Sequence, residues 1–226
     1  MAQPGEAQVL KQSAVFAGLS EDELAALAAL TTEYRFQADE FVFWEGDEGD
    51  RFFVLAEGSI KVIKHSSQGK EFIIAFFGPV EMFGEVAVFE NRSYPASAQV
   101  VTPARVLGIR RADFLAFLAD RPQVALRIIN VLGGRLRDAQ NRLRDLAGER
   151  VEQRIAAILL MLSTKLGGTL PFTRQEIADM VGTTTETAIR VMSQLRRRDI
   201  VRSVRGRVTI LDAEKLRLLS EGHPDV

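Results

Sequence analysis

The sequence predicts an α+β chain: an antiparallel β-domain, one long helix and a C-terminal winged helix-turn-helix. Three observations carry this. Short apolar or alternating runs (EFVFWEGD, RFFVLAEG, SIKVIKHSSQGKEFIIAFFG, ARVLGI) are broken repeatedly by glycine and acidic turns, as in compact antiparallel domains. From Pro122 an apolar stripe returns at helical spacing for about 25 residues. Near the C-terminus two short helical patterns flank a glycine turn and are followed by two short apolar segments around Gly206.

Each element has its own signal. Ser20 with Glu23 reads as a capping box that opens a short helix running to about Leu30. The β-runs follow, and Arg111–Leu118 begins the return to helix. In the long helix Ala125, Ile128, Ile129, Leu132, Leu136, Leu143 and Leu146 form the stripe, with Gly133-Gly134 interrupting it. Such a helix needs a partner for its apolar face, either its own β-domain or the same helix of a second chain. Residues 149–166 form another amphipathic helix, which Gly167-Gly168 and Pro171 end. The predicted division is a β-domain at 1–121, a long helix at 122–148 and a DNA-reading domain at 149–226.

Composition narrows the function classes. Net charge is −1 overall, but residues 149–226 sum to +3 and residues 1–148 to −4, so the C-terminal part is the better candidate for a polyanion. With no cysteine, disulfides, thiol switches and cysteine-ligated iron–sulfur clusters are excluded. Neither an apolar leader nor a run of about 18 apolar residues is present, so a soluble cytoplasmic protein without a membrane partner is expected. No motif supplies a nucleophile, a base and an orienting group together, so an enzyme is not expected.

The reader is the most specific feature. Thr173 caps a helix with Glu176 as its reciprocal partner, Gly182 makes the turn, and Thr184 or Thr185 caps the next helix. Glu186 and Arg190, four residues apart, share a face. As base readers they suit a cytosine amino group and a guanine edge; as neighbours they suit an ordinary intrahelical ion pair. Arg196-Arg197-Arg198 closes the helix, and Arg202, Arg205 and Arg207 flank the wing turn at Gly206.

These motifs, in this order, resemble the Crp/Fnr family of bacterial transcription regulators over nearly the whole chain. The likeness runs through Phe16–Leu19, FWEGDEGDRFFVLAEGSIKV, FGEVAVFE, the long helix and TRQEIADMVGTTTETAIR. It implies a cyclic-nucleotide-binding-type β-roll, a long dimerisation helix and a winged helix-turn-helix. It also implies a homodimer on near-palindromic double-stranded DNA that contacts RNA polymerase. By resemblance Thr173, Arg174 and Gln175 lie on the phosphate side, while Glu186 and Arg190 occupy base-reading positions beside Thr184, Thr185 and Thr187. Thr185 and Ile189 depart from residues that particular branches carry there.

The sensor departs further. Gly84-Glu85 is similar to the opening of the family's phosphate cassette, but Pro95-Ala96-Ser97 stands where the family has Arg-Ser-Ala. Proline brings neither charge nor N–H, and alanine no hydroxyl, so activation by cAMP is not expected. Ala139 replaces a base-contacting threonine of the cAMP branch, with Gln140 beside it. Arg92-Ser93 lies three residues early and would serve an unusual nucleotide only through a shifted loop. The stretch NRSYPASAQVVTPARVLGI resembles branches that respond to nitric oxide and nitrosative stress. That makes haem b the candidate cofactor and nitric oxide the candidate effector. His65, in a hairpin turn, is the candidate iron ligand, His223 lying in the tail.

Overall fold

The computed structural model describes residues 5–65, 71–148, 150–204 and 206–223, with backbone alone for 142–148. Its contacts divide the chain into two units, residues 1–64 with 75–137, and 65–74 with 138–226.

The first unit opens with α1 (Glu6–Gln12) and α2 (Glu21–Ala28), the latter capped by the Ser20–Glu23 box and ending two residues before the expected Leu30. Strands β1 (Thr31–Phe36), β2 (Phe41–Phe43), β3 (Arg51–His65), β4 (Glu71–Phe77) and β5 (Met82–Phe83) follow, then helix α3 (Glu85–Glu90), strand β6 (Ser97–Arg110) and helix α4 (Arg111–Ala119). The sheet runs β1-β6-β3-β4, with β2 on β6 and β5 on β3. β6 lies antiparallel to both β1 and β3, so Arg105 stands opposite Arg35 and Glu57. Alternation along β3 and β6 sorts side chains into two cores. One is aromatic, built on Phe43, Phe53, Phe77, Phe83 and Tyr94. The other joins the sheet to the helices through Phe16, Phe52 and Phe114.

Helix α5 spans Pro122–Gly148 without a break at Gly133-Gly134. An added Cβ at either glycine would approach only Arg137, so the pair is not needed for close packing within the chain. The helix carries two apolar stripes, one buried and one exposed. Val124 and Ile128 are buried in the sheet–helix core, with Val131 and Leu132 partly so. Leu126, Ile129 and Leu136 are instead 63%, 62% and 60% exposed. Leu143 and Leu146 lie outside the described side chains.

The second unit contains α6 (Val151–Leu166), β7 (Thr169–Leu170), α7 (Arg174–Val181), α8 (Thr185–Arg197), β8 (Val201–Val204), β9 (Arg207–Ile210) and α9 (Ala213–Ser220). Strands β7-β9-β8 form a small antiparallel sheet. Ile155, Leu159 and Leu162 of α6 are buried, as are Ile177 and Val181 of α7 and Ala188, Val191, Met192 and Leu195 of α8. The positions that recur every three or four residues thus face inward, which forces Glu186 and Arg190 outward.

Candidate nucleic-acid interface and sensor pocket

The start of α7 is held by a complete capping box. Thr173 Oγ1 accepts from the Glu176 N–H at 3.2 Å, and the Glu176 carboxylate accepts from the Thr173 N–H at 2.8 Å. Gly182, with φ of 64° in the left-handed region, ends the helix, and Thr184 is the cap of α8, accepting from the Thr187 N–H at 3.2 Å. Of the two threonines open in the sequence, Thr184 therefore caps and Thr185 begins the helix. The Thr185 hydroxyl turns back to Gln175 Oε1, and Gln175 Nε2 donates to both Asp179 oxygens at 2.9 and 3.0 Å. This chain of bonds braces the two reader helices against each other.

The sequence-derived set thus separates by role. Thr173, Thr184 and Thr187 bond within their own caps, the Thr184 hydroxyl reaching Thr187 Oγ1 at 3.0 Å. Gln175 and Thr185 brace. Arg174 is half-buried and donates to Ser203 Oγ of β8 at 2.9 Å, tying the first reader helix to the wing. Glu186 and Arg190 are exposed and are in no ion pair among the described residues, so the ordinary intrahelical pair is not made. Arg196, Arg197, Arg202 and Arg207 are likewise exposed without an ion-pair partner among the described residues. Arg198 instead bonds Glu152 at 3.2 Å. Arg205 lies outside the described residues, but Gly206 makes the wing turn at φ of 71° with Val204 opposite Arg207.

In the first unit Gly84 is left-handed, with φ of 77°, and a Cβ there would press on the Phe43 and Tyr94 rings at 3.2 and 3.3 Å. The Tyr94 ring stacks on Phe43 with centroids 3.8 Å apart, and its hydroxyl donates to the Arg51 carbonyl. Burial, and then the Asp50 charge, pushes the Tyr94 phenol above its ordinary pKa, so it stays a donor. Glu85 is a buried carboxylate whose partner is Arg135 of α5, at 2.7 Å. The Arg135 guanidinium also donates to the Met82 carbonyl and lies 4.8 Å from the Phe77 ring centre. Sequence reasoning missed Arg135. Its signal was available: it continues the inward row Val124, Ile128, Val131, and a cation on an inward face calls for a buried acid.

Gln140 is exposed on α5. Ser97 Oγ is engaged, accepting from the Glu45 N–H at 2.8 Å. His65 is exposed at the end of β3, and no metal-holding cluster occurs among the described residues. A haem iron ligand has to stand inside an apolar cavity, and the aromatic side chains of the roll are packed on one another instead. The residues present do not fit haem held through His65.

Residues 33–121 match the cyclic nucleotide-binding domain family and residues 153–219 the Crp-like helix-turn-helix domain family. The chain is 31% identical over 217 residues to a CRP-like cAMP-activated global transcriptional regulator of Mycobacterium tuberculosis, covering 92% of this chain and 97% of that one. The chain belongs to the Crp/Fnr family of transcription regulators. This regulator is also similar to the nitrogen fixation regulation protein FixK of Bradyrhizobium diazoefficiens, at 27% identity over 93% of this chain and 91% of that one. The solved catabolite activator protein of Thermus thermophilus is 30% identical with a TM-score of 0.55, covering 93% of this chain and 100% of that one. As a Crp/Fnr regulator it is a DNA-binding transcription factor and not an enzyme. No described helix is long and apolar enough to cross a membrane.

Proposed function

We propose that the regulator acts as a homodimer on near-palindromic DNA, with Glu186 and Arg190 reading base edges in the major groove. The observation that carries this is that both side chains stand exposed at the front of α8 and are in no ion pair among the described residues. Glu186 accepts from a cytosine amino group and Arg190 donates to a guanine edge, while Arg196, Arg197, Arg202 and Arg207 meet phosphates. The row Leu126, Ile129, Gly133, Leu136, Gln140, exposed except at half-buried Gly133, alternates spacings of three and four, a seam suited to the same helix of a second chain. Twofold pairing sets the readers one DNA turn apart, about 34–36 Å.

The effector is a small molecule other than cAMP. Pro95 and Ala96 supply no anion partner, and Glu85 is already engaged by Arg135. Because Arg135 adjoins Leu136 of the seam, a ligand that competes for Glu85 shifts α5 and thereby the reader spacing. The Asn91–Ile109 resemblance favours a setting in nitrogen-oxide metabolism or nitrosative stress. RNA polymerase is the further partner expected of the family.

Selection of bound duplexes from a random pool tests the reading. Inverted repeats with a conserved guanine and cytosine in each half, bound by two chains, are expected. A pool without base preference, with or without nitric oxide, overturns it. Growth of absorbance near the Soret region on adding haem, retained in His65→Ala, would place haem elsewhere in the chain.

A further inference from the structure

Three arginines and a serine line one cleft of the first unit. Three segments come together there: the loop before β3, the turn after α3, and the junction of β6 with α4. They are pinned by backbone bonds. Gly46 N–H donates to the Tyr94 carbonyl and Tyr94 N–H to the Asp47 carbonyl, both at 2.9 Å, and Arg111 N–H donates to the Asp50 carbonyl at 2.7 Å. Gly49 lies so close to the Arg92 carbonyl that a Cβ there would stand 2.3 Å from it. The cleft between these walls has a volume of about 1080 Å³, and its lining includes Glu48, Asp50, Arg92, Ser93, Arg110 and Arg111.

Charge within the cleft is unbalanced. Arg51 grips both oxygens of the Asp50 carboxylate at 2.8 and 2.7 Å, and Asp50 also lies in the field of Arg110. Arg111 is anchored by its Nε to the Val88 carbonyl at 2.8 Å, which aims its guanidinium and leaves both terminal nitrogens for a ligand. Arg92 and Arg110 are exposed and in no ion pair among the described residues. Against these three cations stands one unengaged carboxylate in the lining, Glu48. Repulsion among three guanidiniums is relieved by an anion with several oxygens.

We propose that this cleft binds a small molecule carrying adjacent phosphate groups, with Arg92, Arg110 and Arg111 on its oxygens and the Ser93 hydroxyl donating a further bond. Arg92-Ser93 then works as an anion pair without entering the roll. The proposal is independent of how α8 reads DNA.

The test is calorimetric titration of the full chain with pyrophosphate at about 0.15 M salt, where distant surface charge is screened. One site per chain is expected, weakened tenfold or more in Arg92→Gln/Arg110→Gln and retained in Arg196→Gln/Arg197→Gln. The substituted side chains are exposed, so the unfolding temperature followed by Trp44 fluorescence should not move; Ser93→Ala supplies a milder variant that should weaken binding severalfold. The proposal fails if the parent binds no pyrophosphate at millimolar concentration, or if the reader variant loses binding while the cleft variant keeps it. It fails equally if an oligoglutamate peptide binds the cleft and pyrophosphate does not displace it, since the cleft would then be a protein contact.

Discussion

Replacing Arg135 by alanine should destabilise the first unit by about 3–4 kcal/mol. Glu85 has a side chain only 5% exposed, so removing its partner strands a carboxylate in the interior, a change that costs about 3–5 kcal/mol when both members are buried. Arg135 is 30% exposed, so water already screens part of the pair and the lower end, about 3 kcal/mol, applies. Loss of the guanidinium from the Phe77 ring, 4.8 Å away, adds about 0.5–1 kcal/mol. Glu85→Gln should cost less, about 1–2 kcal/mol, because the amide oxygen still accepts from Arg135 and only the charge assistance is lost. In the double variant no charge is stranded, so its cost should fall about 2 kcal/mol short of the sum of the singles. Urea unfolding followed by fluorescence of the single tryptophan, Trp44, reads this unit alone. With a slope of roughly 2 kcal/mol per molar, Arg135→Ala should lower the midpoint by about 1.5–2 M. A loss under about 1 kcal/mol, or strict additivity of the two changes, would refute the claim that Arg135 neutralises a buried Glu85.

Arg190→Ala should cost about 1–3 kcal/mol per half-site, doubled in a symmetric dimer, and should erase the preference for guanine at one position of each half. Fluorescence anisotropy on single-base operator variants at fixed salt checks this; a uniform loss with unchanged base preference would assign Arg190 to phosphate instead. Gly58→Ala should destabilise the sheet by roughly 2–4 kcal/mol, because φ is 87° and the new Cβ would lie 2.4 Å from the Pro103 carbonyl and 2.8 Å from the Ala104 Cα. An unchanged thermal midpoint would mean that β6 moves aside freely. For Glu33, burial raises the carboxyl pKa, but hydrogen bonds from Arg105 and Arg35 outweigh it and hold the folded value below 4.5. Its contribution is therefore full above the unfolded pKa and lost as pH falls through the folded value. The gap in unfolding temperature between the parent and Glu33→Gln should be largest near neutrality and close as pH falls through the folded pKa; a gap unchanged down to full protonation of the carboxylates contradicts the assignment.

Local chemistry was enough to place both capping boxes, at Ser20 and Thr173, because a cap is a contract between residues three apart that needs no distant partner. The same holds for the Gly182 turn and for the outward placement of Glu186 and Arg190, which follow from helical periodicity alone. That Pro95 brings neither a side-chain charge nor a backbone N–H is a property of the residue itself and needs no fold to establish. Pairings between residues far apart in the chain were not legible. Arg135 meets Glu85 across 50 positions, Arg174 meets Ser203 across 29, and Gln175 claims the Thr185 hydroxyl across 10. Each adds a partner that the sequence did not show: Glu85 is half of an ion pair, Arg174 ties α7 to the wing, and Thr185, the alternative cap, braces the two reader helices. The sequence by itself determined which elements form and which side chains face water, because propensity and periodicity act over a few residues. Only the tertiary structure decided which polar groups are already spent on one another, and therefore which remain free to hold DNA or a ligand.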